Sequence, residues 1–197
     1  MPATHIVLLV DRSGSMQAIR DDAQGGIAAF LAEQAAQPGE ATISLYQFDN
    51  EYERVFGPVP VADAPAYELH PRGMTALLDA LGRTIGETAG HLAGIPEADR
   101  PGVVFAVVTD GQENASREMT RPGVKEQVAE KTAAGWQFAF LSADLGAVLE
   151  ARDLGVPVAS SATYDHSPDG ARAAYSSLSA SVSRTRSTGA RLTVDGT

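Results

Sequence analysis

Short, uninterrupted apolar runs alternate along this chain with longer segments whose apolar positions recur at helical spacing. His5–Val10 and Val103–Val108 are runs of the first kind, and they predict central strands buried on both faces. Thr42–Phe48, Tyr52–Phe56, Trp136–Leu141 and Val156–Ala159 read as further strands. Between them, Ile19, Ala23, Ile27, Phe30 and Leu31 predict a helix from Met16 to about Gln37, stopped by Pro38-Gly39. Leu77, Leu78, Leu81, Ile85 and Leu92 mark a second helix, Thr75 to Ala93. Val124–Ala134, Leu145–Leu154 and Pro168–Ser183 supply the remaining helices, the last with Ala171, Ala174, Tyr175, Leu178 and Val182 inward.

This alternation is the signature of an α/β fold: a central, mostly parallel sheet of about six strands with helices on both faces. Asp49-Asn50-Glu51 joins the second and third predicted strands so tightly that the pair is expected to be antiparallel, forming one edge. Gly57 to Gly73 contains Pro58, Pro60, Pro65 and Pro71 and is expected to be a long irregular loop, a kind of segment that often carries function. Residues 1–184 read as one domain; the tail from Thr185 to Thr197, rich in Ser, Gly and Arg, is expected to be flexible.

Charge then narrows the partners. The 197 residues carry a formal net charge of -10, which disfavours nucleic acid and anionic membrane surfaces. There is no cysteine, so disulfides, thiolate metal sites and cysteine nucleophiles are excluded. The apolar start, Ile6–Val10, is too short for a signal peptide or a membrane span, and a cytoplasmic location is expected.

In open parallel sheets, ligands bind beyond the carboxyl ends of the strands, where strand order reverses. The first polar residues after the first strand are Asp11, Ser13 and Ser15; after the fourth come Thr109, Asp110 and Gly111. The proline-rich loop ends at a helix start in Arg72-Gly73-Met74-Thr75. If the first and fourth strands are neighbours, these three segments converge on one rim. Among the groups they bring are two carboxylates and three hydroxyls, hard oxygen donors suited to Mg²⁺, Mn²⁺ or Ca²⁺ and poorly suited to zinc or copper. Two formal negatives leave a divalent ion short of a ligand, which an incoming carboxylate would complete.

At these residues the chain resembles the von Willebrand factor type A (VWA) family. That family's metal-ion-dependent adhesion site (MIDAS) is DxSxS followed by a distant Thr and a distant Asp in a TDG context. Here these stand as Asp11, Ser13 and Ser15, then Thr75, then Asp110. The supporting context is GMTAL from Gly73 to Leu77 and VTDG from Val108 to Gly111. The resemblance implies a Rossmann-like VWA fold, Mg²⁺ or Mn²⁺ at the five residues, and an Asp or Glu of a partner protein as the last ligand. It looks closest to small stand-alone bacterial VWA proteins, some of them associated with tellurite resistance or stress response.

Plainer roles compete for the same residues. Ser13, Ser15 and Thr75 stand near helix starts and could serve as caps, and Asp110 before Gly111 could be a turn residue. His70 and Arg72, on the loop feeding Thr75, are candidates for a partner-binding rim, and Glu113 and Asn114, just after Asp110, for that rim or for the groups that support it from behind. Asp49 ends the second strand near the same rim, with an ordinary turn role as its alternative. His5, His70, His91 and His166 are scattered and read as structural or solvent-facing, and Trp136 as a buried anchor. The rival function is a metal-dependent phosphoryl-transfer or hydrolytic enzyme using the same site. Against it, the D-x-D of haloacid-dehalogenase-type phosphatases has no second aspartate here, since Ser13 stands in its place. Neither a Walker loop nor G-x-S-x-G occurs. A binding module, not an enzyme, is the expected function.

Overall fold

In the computed structural model, which describes residues 3–164 and 167–194, the two doubly apolar runs become the innermost strands, β1 (Thr4–Asp11) and β4 (Gly102–Thr109). They pair in parallel, with Val10 opposite Val108. β2 (Ala41–Phe48) lies parallel on the other side of β1, and β3 (Tyr52–Pro60) runs antiparallel to it at the edge. β5 (Gln137–Ser142) and β6 (Ser161–Thr163) extend the far side, giving the order β3-β2-β1-β4-β5-β6. The mixed six-stranded α/β sheet expected from the pattern is therefore present.

Alternation along the inner strands splits the core in two. Ile6, Leu8 and Val10 of β1 face α1 (Arg20–Ala36) and α5 (Pro168–Thr188), packing with Ile27, Phe30, Tyr175 and Leu178. Val7 and Leu9 face the opposite side, with Leu77 and Leu81 of α2 (Leu77–Ala93), Val124 of α3 (Arg121–Ala133) and Val148 of α4 (Leu145–Asp153). All eight residues of β1 are buried, and each fully buried Leu, Ile or Val contributes roughly 1.5–3 kcal/mol. None of the described helices is long and apolar enough to cross a membrane.

His5 is structural, as expected: Nδ1 is 2.8 Å from Thr42 Oγ1, and burial, with His91 nearby, lowers its pKa to about 4. Trp136 is buried beside Phe138, with the Lys131 ammonium 5.9 Å from its ring centroid. His166 lies outside the described residues.

Four boundaries depart from the pattern. β3 continues to Pro60, through two of the prolines that were expected to end it. An edge strand pairs on one side only, so missing N–H donors on its free side are tolerated. The expected long loop is consequently shorter, and it opens with a 3-10 turn at Val61–Asp63. The first helix begins as a 3-10 turn at Gly14–Ile19 and becomes α-helical only at Arg20. Val156–Ala159 is not a strand. Pro157 lacks a donor, Val158 is exposed in a 3-10 turn, and pairing to β5 starts at Ser161.

The fourth departure is the tail. α5 runs to Thr188 and ends on Gly189 in the left-handed conformation. Leu192 and Val194 are buried, and the Val194 N–H donates to the Ala159 carbonyl at 2.7 Å. Residues 195–197 lie outside the described part. Arg186 accounts for the continuation of α5 past Thr185. Its buried guanidinium donates to the Gln34 carbonyl (2.7 Å), Gln34 Oε1 (3.0 Å) and the Gly39 carbonyl (3.1 Å). These acceptors cluster at the carboxyl end of α1, where the helix dipole favours a cation. Gln34 Nε2 in turn donates to the Ser179 carbonyl and hydroxyl of α5. Arg186→Ala is expected to cost about 2 kcal/mol, the worth of hydrogen bonds from one charged group. Urea unfolding would show this as a lowered midpoint. An unchanged midpoint would mean that the end of α5 is not docked on α1.

Candidate metal site at the carboxyl edge of the sheet

β1 leads into α1 on one face of the sheet and β4 into α3 on the other, so the crevice between them opens at the rim where Asp11 and Asp110 emerge. Asp11 is fully buried. Its Oδ1 accepts the Ser13 N–H at 2.6 Å and its Oδ2 the Thr109 hydroxyl at 2.5 Å. The turn held by the first of these bonds aims Ser13 and Ser15 inward, with their hydroxyls 3.1 Å apart. Ser15 Oγ donates to Asp110 Oδ1 at 2.6 Å, tying the first loop to the fourth strand.

Thr75 completes the group. A β-carbon built on Gly111 would lie 3.2 Å from Ser15 Oγ, 3.3 Å from Thr75 Oγ1 and 4.0 Å from Ser13 Oγ. The three hydroxyls therefore surround one point above the Gly111 backbone, a cradle that a single methyl group would fill. Ser13 and Thr75 are buried and Ser15 is exposed, so the cradle opens to solvent on the Ser15 side.

The capping alternatives do not hold. Ser13 precedes the 3-10 turn without a side-chain capping bond, and α2 starts at Leu77 after Ala76, which makes none. The hydroxyls are thus directed to the cradle and not to helix ends. Electrostatics points the same way. Burial is the main influence raising the Asp11 pKa to about 6, against the lowering effect of the Thr109 and Ser13 hydrogen bonds, and Asp110 adds to the rise. Two carboxylates share this pocket, while the neighbouring Arg12 side chain turns away from it to Asp49. Among the described residues, no three His, Cys, Asp or Glu side chains gather as a metal cluster. The donor set here is two carboxylates with three hydroxyls, and its chemistry fits a hard divalent cation.

The four rim candidates divide. His70 is exposed and pairs with Glu68 at 3.5 Å. Arg72 is half exposed and bonded to Asp49 (2.7 Å) and to Glu51. Asn114 clamps Thr75 from both sides: its Oδ1 accepts the Thr75 N–H at 2.9 Å, and its own N–H donates to the Thr75 carbonyl at 3.0 Å. Glu113 accepts from the Leu78 N–H at the start of α2 and from the N–H groups of Ala115 and Ser116. Both residues fasten the 111–119 loop to α2. Asp79 helps by accepting from the N–H groups of Arg117, Glu118 and Met119. Sequence reasoning missed Asp79 and left open whether Glu113 and Asn114 line the rim or support it, since such bonds depend on which helix the loop meets.

No family model and no curated protein matches the chain. Solved structures do. Proximal thread matrix protein 1 from the mussel byssus superposes with a TM-score of 0.65 at 15% identity, over 94% of this chain and 46% of that one. A further structure of that protein, with a zinc-occupied MIDAS motif, gives 0.56 at 15% identity over 85% of this chain and 42% of the other. The pilus adhesin SpaC of Lactobacillus rhamnosus GG, in its open conformation, gives 0.69 at 14% identity, over 94% and 30%. A von Willebrand factor type A protein from Catenulispora acidiphila gives 0.62 at 13% identity, over 91% and 42%. The chain spans less than half the length of each of these proteins. At such identities the likeness shows the fold, which is VWA-like.

Proposed function

We propose that this chain is a metal-dependent protein-binding module. Asp11, Ser13, Ser15, Thr75 and Asp110 hold Mg²⁺ or Mn²⁺, and the cation takes an Asp or Glu side chain of a partner as its remaining ligand. The observation that carries the proposal is the convergence of three hydroxyls on the point above Gly111, with both carboxylates hydrogen-bonded into the same cluster. When bound, the cation supplies the attraction that an acidic site cannot offer an acidic ligand. Two carboxylates neutralise its charge and leave it able to accept a third.

The remaining surface restricts the partner. With a net charge of -10, the module repels a strongly acidic protein at long range, so the favoured partner is neutral or basic and offers one exposed carboxylate. His70, exposed on the loop leading to Thr75, is the rim residue we assign to meet it. The zinc-occupied MIDAS of the mussel protein supports a divalent ion in this fold, and the resemblance to stand-alone bacterial VWA proteins supports a cytoplasmic stress-response or tellurite-resistance setting.

Calorimetric titration of the metal-free protein with Mn²⁺, in the presence and absence of acetate, tests the proposal. One site that tightens when acetate is present is expected. No heat of binding under either condition would remove the metal site and the carboxylate capture with it.

A further inference from the structure

Arg12 stands between two of the five site residues, yet its buried side chain points away from them. Its Nε reaches Asp49 Oδ2 at 3.2 Å and its Nη1 reaches Glu53 Oε2 at 3.0 Å. Arg72, three positions before Thr75, places its Nε on the same Asp49 oxygen at 2.7 Å. One carboxylate, 1% exposed, therefore accepts from two guanidinium groups belonging to two different loops of the site.

The backbone follows the same pattern. The Asp49 carbonyl accepts the Ala76 N–H, next to Thr75, at 2.9 Å, and its Oδ1 accepts the Glu51 N–H at 2.5 Å. The two loops also bond each other: Arg72 N–H to the Arg12 carbonyl at 2.7 Å, and Gly14 N–H to the Gly73 carbonyl at 3.1 Å. Gly73 has φ +70, and a β-carbon there would overlap Asn50 Oδ1, so the turn after β2 sits directly against the Thr75 loop. An ordinary turn aspartate would bond its own turn alone. This one also reaches both halves of the cradle.

We propose that Asp49 is a positioning residue that locks the Asp11–Ser15 loop to the Thr75 loop and so sets the spacing of the three hydroxyls. Its effect on metal affinity rests on the metal reading above; its effect on the loops does not. Asp49→Asn keeps the shape and an acceptor for Glu51, but it removes the one buried carboxylate, leaving Arg12 with the exposed Glu53 and, at 3.9 Å, Glu51, and Arg72 with Glu51. Charge-assisted bonds to a buried carboxylate are the strong ones, so the two loops, still joined by their backbone bonds, open more often when that charge is lost.

Two readouts decide the matter. In metal-free protein, hydrogen exchange of the Gly14, Arg72 and Ala76 amides is expected to be about tenfold faster in Asp49→Asn, while amides of β4 and β5 keep their wild-type rates. Mn²⁺ affinity is expected to fall about 10–100-fold, the usual cost of losing an outer partner of a metal site. In a Thr75→Ala background the same substitution is expected to lower affinity no further, because it acts through Thr75. Unchanged exchange at the three amides, uniform acceleration of all amides, or an equal loss of affinity in both backgrounds would overturn the proposal. If wild-type protein binds no Mn²⁺, the metal reading fails and the exchange data alone decide the coupling. Arg72→Gln keeps the buried Arg12–Asp49 pair, so it covers the case in which Asp49→Asn does not fold. It is expected to speed exchange at Arg72 and Ala76, and wild-type rates there would contradict the lock.

Discussion

Mn²⁺ is expected to bind Gly111→Ala about a hundredfold more weakly than wild type, a loss at the upper end of that for removing a supporting partner of a metal ligand. The added methyl group would stand 3.2 Å from Ser15 Oγ and 3.3 Å from Thr75 Oγ1, inside the cradle. Gly111 is not among the glycines with positive φ, so alanine adopts its backbone without strain. The bonds between Gly111 and the Thr109 hydroxyl use only the backbone N–H and carbonyl of Gly111 and survive the change. Stability should therefore move by less than about 1 kcal/mol while affinity collapses, a separation that a ligand deletion such as Asp11→Ala, which also removes buried hydrogen bonds, cannot offer. Equal Mn²⁺ affinity in the two proteins would mean that no cation is held among these hydroxyls.

The largest expected effect on stability lies at Gly57. Its φ is +101, which side chains other than hydrogen rarely adopt, and a β-carbon there would overlap the Ile43 carbonyl oxygen and lie 2.5 Å from Ser44 Cα. Neither neighbour is a flexible side-chain tip; both belong to the backbone of β2. The position coincides with the register shift between β2 and β3, where Ile43 faces Val59 and Leu45 faces Phe56. Summing a left-handed conformational cost and backbone overlap, Gly57→Ala should lose about 3–4 kcal/mol. Chemical denaturation would show a lower midpoint with an unchanged slope. A loss smaller than about 0.5 kcal/mol, the range of neutral surface changes, would show that β3 can leave β2 at little cost. Since β3 also carries Glu53, a displaced edge should loosen the Arg12 contact and so reach the site.

Which parts of this structure were legible in the sequence follows from whether a feature is local. The two buried strands announce themselves as unbroken apolar runs, and the residues after them are polar because the chain there leaves the core. That is why Asp11, Ser13, Ser15 and Asp110 could be picked out before their contacts were known. Thr75 was read from the loop that meets the same rim, but a threonine near a helix start has an ordinary capping role that only the position of Ala76 dismisses. Asp49 was hidden for the opposite reason. Asp-Asn-Glu between two strands is fully explained as a turn, and nothing local reveals that arginines 37 and 23 positions away share its carboxylate. Arg186 was hidden in the same way, in a Ser- and Arg-rich stretch, with acceptors 152 and 147 positions earlier. β3 ran past its prolines because edge position, which sets their cost, is a property of the sheet and not of the segment.

Diffraction from crystals of the protein grown with Mn²⁺, collected to record the manganese anomalous signal, would show where the ion sits. An anomalous peak above Gly111, within bonding distance of Ser13 Oγ, Ser15 Oγ and Thr75 Oγ1 and beside Asp11 and Asp110, is the expected result. A peak elsewhere on the molecule, or none at a Mn²⁺ concentration that saturates the calorimetric signal, would contradict the assignment of this cluster as the metal site.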